Sequence, residues 1–309
     1  MAAEPLESAT NGSQRAVVVS PKPLIRVGAR PRFRNYLRQL WEFRHFIYYD
    51  SRSRVSTANT TDSLGRVWMV MNPVMFGLAY FCVFGLLLDL SRGVSNFIGY
   101  LIVGVFMFRF ATTAVQSGAS SIVSNQNVVQ AFNFPRAAIP LATNVRELFG
   151  SIPVFIVMGI LVLLIGDMEL AGIPGTPTSV DWLWLMFFPA LALCLMMTTG
   201  LSLLLARAVS AYTDVKHLVT IGMRIWFYTS AVFFTTERFT EGGRNLDFMV
   251  TVMHHNPMYC VLDIVRQAWV YGEHADPYRW VVLSAWSVVL FVVGFIVFWQ
   301  GEETYGRER

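Results

Sequence analysis

Two lysines are the first residues to test. A phosphate-binding loop of the pattern G-x-x-x-x-G-K-[ST] needs a lysine directly after a glycine. Lys22 follows Pro21 and Lys216 follows Val215, and these are the only lysines in the chain. ATP hydrolysis by that route is therefore excluded. Acyl transfer needs a nucleophile with a base in reach, and the sequence has neither a G-x-S-x-G elbow nor a close carboxylate pair inside an apolar stretch. Ser117, Ser120 and Ser121 qualify only by residue type, and small hydroxyl residues in an apolar helix more commonly serve helix packing. The histidines have no metal-ligand spacing, and the adjacent His254 and His255 cannot both face one site on a helix. Cys82, Cys194 and Cys260 are unpaired in spacing and read as small hydrophobes.

Cations, amides and aromatic rings carry more information. Arg109 lies in an apolar stretch, where it either lines a passage and meets an anionic group or snorkels to the nearer membrane surface. Arg224 is in the same position, and Arg146 and Glu147 are expected to pair. The stretch S-N-Q-N-V-V-Q-A-F-N-F-P-R-A-A-I-P over 124–140 interrupts the apolar pattern. It offers Asn125, Gln126 and Asn127, then Phe132 and Phe134, then Pro135 and Arg136. A short helix with two protruding rings suits docking into a groove on a soluble partner, whereas a solvated connector explains the polarity but not the phenylalanines. Trp182, Trp184, Trp280 and Trp299 fall at the ends of apolar stretches, where interfacial belts are expected. Tyr80, Phe81, Phe84, Phe106, Phe108 and Phe110 lie deeper. They either stack on sugar rings in a passage or serve ordinary packing.

These groups must be positioned by helices in a bilayer. Of 309 residues, 54% are hydrophobic and 14% charged, against about 25% charged in soluble domains, and the mean hydropathy is +0.48. The first 30 residues, rich in Ser, Pro, Ala and Arg, read as a disordered cytoplasmic tail. The sequence predicts an amphipathic helix over 31–50, with Phe33, Tyr36, Leu37, Leu40 and Ile47 on one face and Arg34, Arg38, Glu42 and His45 on the other. Such a helix lies on a membrane surface. From 67 to 88 no residue is charged, which at about 1.5 Å per residue spans the ~30 Å hydrocarbon layer. Further spans are predicted over 96–119, 142–166, 182–206, 218–236 and 280–300. Between the last two, 237–279 is too charged for a span and too apolar for a free loop. A re-entrant hairpin of two short helices broken at Asn256-Pro257 fits, because irregular backbone at membrane depth survives only inside protein. A charged tail, 301–309, ends the chain. The fold class is thus an all-α integral membrane protein with six spans.

Counting basic residues orients it. With both termini inside, the inner segments hold 16 Lys and Arg and the outer ones 5, with Arg109, Arg146 and Arg224 in or beside spans. The positive-inside rule favours this arrangement.

Several stretches together resemble a known family. They are N-P-V-M-F-G-L-A-Y-F-C-V-F-G over 72–85, N-V-V-Q-A-F-N-F-P-R-A-A-I-P-L-A over 127–142, D-V-K-H-L-V over 214–219, N-P-M-Y-C-V-L-D-I-V-R over 256–266 and E-x-x-Y-x-R over 302–307. Over about 33–309 the chain is similar to the membrane subunits of type-2 ABC polysaccharide exporters, the Wzm-like permeases of O-antigen, teichoic acid and galactan export. The resemblance implies two permeases and two cytosolic ATPase subunits in a bacterial cytoplasmic membrane. ATP and Mg would be bound by the ATPase partner and no cofactor by this chain. The cargo would be a lipid-diphosphate-linked glycan, with a cell-wall galactan or O-antigen as candidates. By resemblance, 125–136 is the helix that sits in the ATPase groove, 237–279 (with Asn256, Pro257, Asp263 and Arg266) gates the outer side, and 31–50 is the interface helix. Arg32, Arg34 and Arg38, with Arg109, would meet the diphosphate, because guanidinium binds phosphate bidentately. Tyr80, Phe81, Phe84 and Phe106 would line the channel.

Three other readings compete: an ABC exporter of a drug or lipid, a membrane-embedded glycosyl- or acyltransferase, and a secondary transporter, for which no internal repeat is visible. The second needs a buried acid or histidine facing a lipid-linked donor, and none stands out. Nothing in the sequence points to nucleic acid as a partner.

Overall fold

The structure is a computed structural model describing residues 31–57, 67–87, 96–132, 134–165, 180–235 and 247–305. The expected tail 1–30, most of 167–181 between the third and fourth predicted spans, and the start of the expected hairpin, 237–246, lie outside the described residues. Among the described residues every regular element is helical: α1 Phe33–Glu42, α2 Arg44–Thr57, α3 Val67–Tyr80 with a π-helical continuation Phe81–Leu87, α4 Phe97–Ser124, α5 Gln126–Ala131, α6 Ala138–Ile165, a 3₁₀ turn Trp182–Met186 leading into α7 Phe187–Ala211, α8 Val215–Thr229, α9 Asp247–His254, α10 Pro257–Arg266 with a π-helical end Gln267–Tyr271, and α11 Pro277–Gln300. Four stretches are long and apolar enough to cross a bilayer: Phe97–Ser124, Ala138–Leu164, Trp182–Ala211 and Pro277–Gln300. The protein is therefore a multi-pass membrane protein.

α4 is the central helix. It opens at Asn96, whose backbone is left-handed at φ 54° and whose side chain accepts a 2.9 Å hydrogen bond from Gly99 N. Nearly all of its first half is buried, with α6 and α7 packed along it and α3, α8 and α10 against it. Small residues allow that closeness. Ser202 of α7 donates to the Ala114 carbonyl of α4 at 3.2 Å, and at Gly118 a side chain would collide with Ser202.

α7 and α11 approach until their backbones touch. A Cβ on Gly294 would sit inside contact distance of the Gly200 carbonyl, and one on Gly200 would strike the Leu290 backbone. Neither obstacle is a flexible side chain, so the helices must separate. Gly294→Ala should therefore destabilise by about 1–3 kcal/mol, the usual cost of overpacking. Gly222→Ala, where nothing lies within 4 Å, should be neutral or slightly stabilising because alanine is the better helix former. Thermal unfolding of the detergent-solubilised protein reads the difference, and equal melting of the two variants would contradict the packing argument.

Three expectations need correction. The fifth predicted span, 218–236, ends as a helix at Thr229. Fifteen residues rise only about 22 Å, and Ala231 then takes a left-handed φ of 49°, so the chain turns inside the protein. The predicted single helix over 31–50 is two helices that meet at Phe43, and the second continues to Thr57. The start of the predicted tail, 301–305, is a folded turn with Glu302 and Tyr305 buried. The charge of Glu302 is met by Tyr36 and Arg136, far away in the chain, while Glu303 is exposed.

Candidate functional site

The stretch after α4 is built as a short helix held at both ends. Asn125 closes α4, its side-chain nitrogen donating to the Ser121 carbonyl at 2.8 Å, and its Oδ1 accepts from Arg54 of α2 at 3.3 Å. α5 follows for six residues. Gln126 and Asn127 face outward, and Phe132 is 66% exposed. Phe134 does not protrude, which corrects the expectation of two exposed rings. It packs on Phe43 and Phe46 of the N-terminal helices, with centroids 6.1 and 6.4 Å away, because an aromatic ring beside an apolar surface gains by leaving water. Pro135 is buried, and Arg136 donates its backbone N–H to Glu302 Oε1 at 2.9 Å. Of the seven candidates, Gln126, Asn127 and Phe132 form an outer face, and the other four turn toward the protein.

A second feature is a cavity of about 590 Å³ between α3, α4 and α8. From α4 come Val105, Phe108, Arg109, Thr112, Thr113 and Gln116, spaced i, i+3, i+4, i+7, i+8 and i+11 on one helix face. From α8 come Thr220, Met223, Arg224, Phe227 and Tyr228, with the same spacing. α3 adds Phe76 and Tyr80. The Arg109 guanidinium lies over the Phe76 ring, 5.6 Å from its centroid. Tyr80 packs on Phe227 at 5.6 Å and stacks with Phe233 at 6.4 Å. The rim is apolar surface, with Phe76 52% and Tyr228 58% exposed. The space thus combines two cations, hydroxyl and amide donors, and aromatic faces.

The remaining site candidates are scattered. Arg32, Arg34 and Arg38 are exposed on or beside α1, Arg38 pairs with Glu42 at 3.2 Å, and none of the three lines the cavity that holds Arg109. Phe81 is buried, Phe106 is buried in the α4 core rather than lining a passage, and the Phe84 side chain lies outside the described residues. Arg224, Thr220 and Gln116 were missed as a set. The polar stripe on each helix is legible as i, i+3, i+4, i+7 spacing, but only the fold shows that the two stripes face one cavity.

The candidates in 237–279 hold the end of α8. Asn256 caps α10 by accepting from Met258 N at 3.0 Å, and Pro257 occupies the first turn. The same Asn256 accepts from Trp226 Nε1 at 2.8 Å and donates to Ser230 Oγ at 3.1 Å. Asp263 pairs with Arg279 of α11 at 3.1 Å. Arg266 is fully buried and donates to the carbonyls of Tyr100, Ala231 and Val232 at 3.1, 3.1 and 2.8 Å. Its guanidinium lies 3.3 Å from the Tyr100 ring centroid. Asn256 and Arg266 thus clamp the end of α8 against the core, while Asp263 ties α10 to α11. The expected pair Arg146 and Glu147 is present at 3.6 Å in α6. Among the described residues no group of His, Cys, Asp and Glu is placed to hold a metal ion.

The family model described as ABC-2 type transporter matches residues 52–270. The chain is also similar to the O-antigen export system permease protein RfbA of Klebsiella pneumoniae, 23% identical over 239 residues that cover 76% of this chain and 83% of that protein. Similarity to the O-antigen export system permease protein RfbA of Myxococcus xanthus is 22% over 275 residues, covering 88% of this chain and 98% of that one. A match over well more than half the length, running from within α2 to the π-helical end of α10, settles the family: the chain belongs to the ABC-2 type transporters, as a membrane subunit of a family that implies an ATPase partner in the transporter.

Proposed function

We propose that the protein is the permease of an exporter that carries a lipid-diphosphate-linked polysaccharide, such as an O-antigen or cell-wall galactan, out across the bacterial cytoplasmic membrane. Two copies of the chain would enclose the passage between their α3, α4 and α8 helices, and two ATPase subunits would dock on the inner face at α5. Both termini would be cytoplasmic, as the 16-to-5 bias of basic residues supports. The six-span arrangement belongs to the same reading, with α3 and its π-helical continuation as one span, α8 as a half-length one completed by the irregular buried backbone after Thr229, and 237–279 as an outer re-entrant hairpin.

The cavity between α3, α4 and α8 carries this proposal. A diphosphate inside an apolar protein needs fixed cations, and guanidinium forks match phosphate oxygens better than ammonium does. Arg109 and Arg224 supply two, and the hydroxyl, amide and aromatic groups around them suit sugar rings. The apolar rim suits a lipid tail. The similarity to O-antigen export permeases supports a glycan over a drug-like cargo.

The test uses the chain with its ATPase in nanodiscs. A lipid-diphosphate-linked glycan should stimulate ATP hydrolysis. Arg109→Gln and Arg224→Gln should each raise the half-maximal glycan concentration about tenfold, the value of one lost charge-assisted hydrogen bond. Stimulation by the double variant at the parental concentration would remove the cavity from the binding path.

A further inference from the structure

We propose that the C-terminal turn, 301–305, is a clasp that makes the α5 segment and the N-terminal helices one mechanical unit, with Glu302 as its positioning residue. This rests on reading 124–136 as the segment on which the ATPase acts. Three regions distant in sequence converge at one buried carboxyl group. Tyr36 Oη of α1 donates to Glu302 Oε2 at 2.8 Å. The backbone N–H of Arg136 donates to Glu302 Oε1 at 2.9 Å, and the Arg136 guanidinium donates to the Glu302 carbonyl. Ala137 N in turn donates to Tyr36 Oη at 3.0 Å, so the ring of contacts closes. Tyr305 ties the turn to α11, donating to the Phe298 carbonyl at 2.9 Å with its ring stacked on Phe298 at 4.6 Å.

The chemistry suits fixing geometry rather than adding adhesion. A buried carboxyl is costly, and apolar residues of the same shape commonly stabilise as well or better. Here burial pushes the Glu302 carboxyl above the usual carboxylate range and the Tyr36 hydroxyl above the usual phenol range, so the phenol keeps its proton and serves as the donor. Each carboxyl oxygen takes a donor from a different segment, which sets the separation of α1 from the start of α6. At the other end of the segment Arg54 reaches Asn125, and beside Arg136 the Phe134 ring lies against Phe43 and Phe46. With both ends tied, a push on the outer face of α5 cannot be absorbed by a flexing connector. It moves α1 and α2 with it.

Hydrogen–deuterium exchange on the purified full chain in nanodiscs tests the clasp without any partner. Glu302→Ala should speed exchange over 132–137 and over α1 by about tenfold or more, the equivalent of one lost charged contact. Glu302→Gln should loosen both clearly less than alanine does, because its carbonyl still accepts from Arg136 N, even though an NH₂ cannot accept the Tyr36 hydroxyl proton. If Glu302→Ala fails to fold, Tyr36→Phe removes the hydroxyl while keeping the ring and should give the same pattern. Parental exchange in the alanine and phenylalanine variants overturns the clasp, and so does a glutamine variant as loose as alanine. With the ATPase added, Glu302→Ala should consume several times more ATP per glycan exported, and Glu302→Gln should consume clearly less than alanine does. A chain that pairs with no ATPase refutes the exporter reading and leaves the exchange result to decide the clasp.

Discussion

An Arg266→Met chain is expected to insert in the membrane yet lose the ordered end of α8, with a fall in stability of roughly 4 kcal/mol. The argument rests on what methionine leaves behind. Three carbonyls accept from this guanidinium; Ala231 keeps a second donor in the Tyr100 hydroxyl at 2.9 Å, but a buried acceptor deprived of its partner, as at Val232, costs about 1–3 kcal/mol. Two of them, Ala231 and Val232, lie just past the C-terminus of α8, where a helix presents partial negative charge and favours a cation. The Tyr100 ring beneath the guanidinium adds a cation–π contact, worth up to about 2 kcal/mol when desolvated. Methionine fills similar volume and satisfies none of this. Arg266→Lys should recover only part of the loss, because a single ammonium cannot span three acceptors held in fork geometry. Gly104→Ala approaches the same site from the other side, since its Cβ would press on the guanidinium and on the Val232 carbonyl. Thermal melting, with exchange over 215–235, reads all three. Parental stability in Arg266→Met would mean that water replaces the guanidinium.

Arg266 also shows where sequence reading stops. A lone arginine in V-L-D-I-V-R-Q-A-W-V must be partnered if it is buried, and that much is legible. Its acceptors lie 34, 35 and 166 residues away and are backbone atoms, which leave no trace in residue type. The helix break at Asn256-Pro257 follows from local chemistry: a capping side chain followed by a residue without an N–H. The four long apolar helices follow from run length, and the polar stripes of α4 and α8 from helical spacing. What failed depends on distant contacts. The end of α8 is set by groups from α4 and α10, the burial of Phe134 by α2, and the folding of 301–305 by Tyr36 and Arg136. In each case a charge or ring with an ordinary local reading as surface is claimed by a segment that only tertiary structure brings near.

The division of Phe132 from Phe134 yields the second large effect. Phe132→Ala should weaken binding of the ATPase subunit by roughly thirtyfold, since truncating a central aromatic anchor commonly costs about 2 kcal/mol. Exchange and melting of the isolated chain should stay parental, because the ring is exposed and packs on little. Phe134→Ala should do the opposite. Partner affinity should change little, but α5 should loosen from Phe43 and Phe46, and ATP should be hydrolysed with little export. The two rings are two residues apart and chemically identical, so composition and charge cannot explain a difference between them; only placement can. An equilibrium binding assay with purified subunits, paired with hydrolysis and export in the same vesicles, separates the outcomes. Parental affinity in Phe132→Ala removes the α5 face from the interface. A tight, fully coupled Phe134→Ala would mean that force enters the spans directly through α4 and α6, without passing through the N-terminal helices.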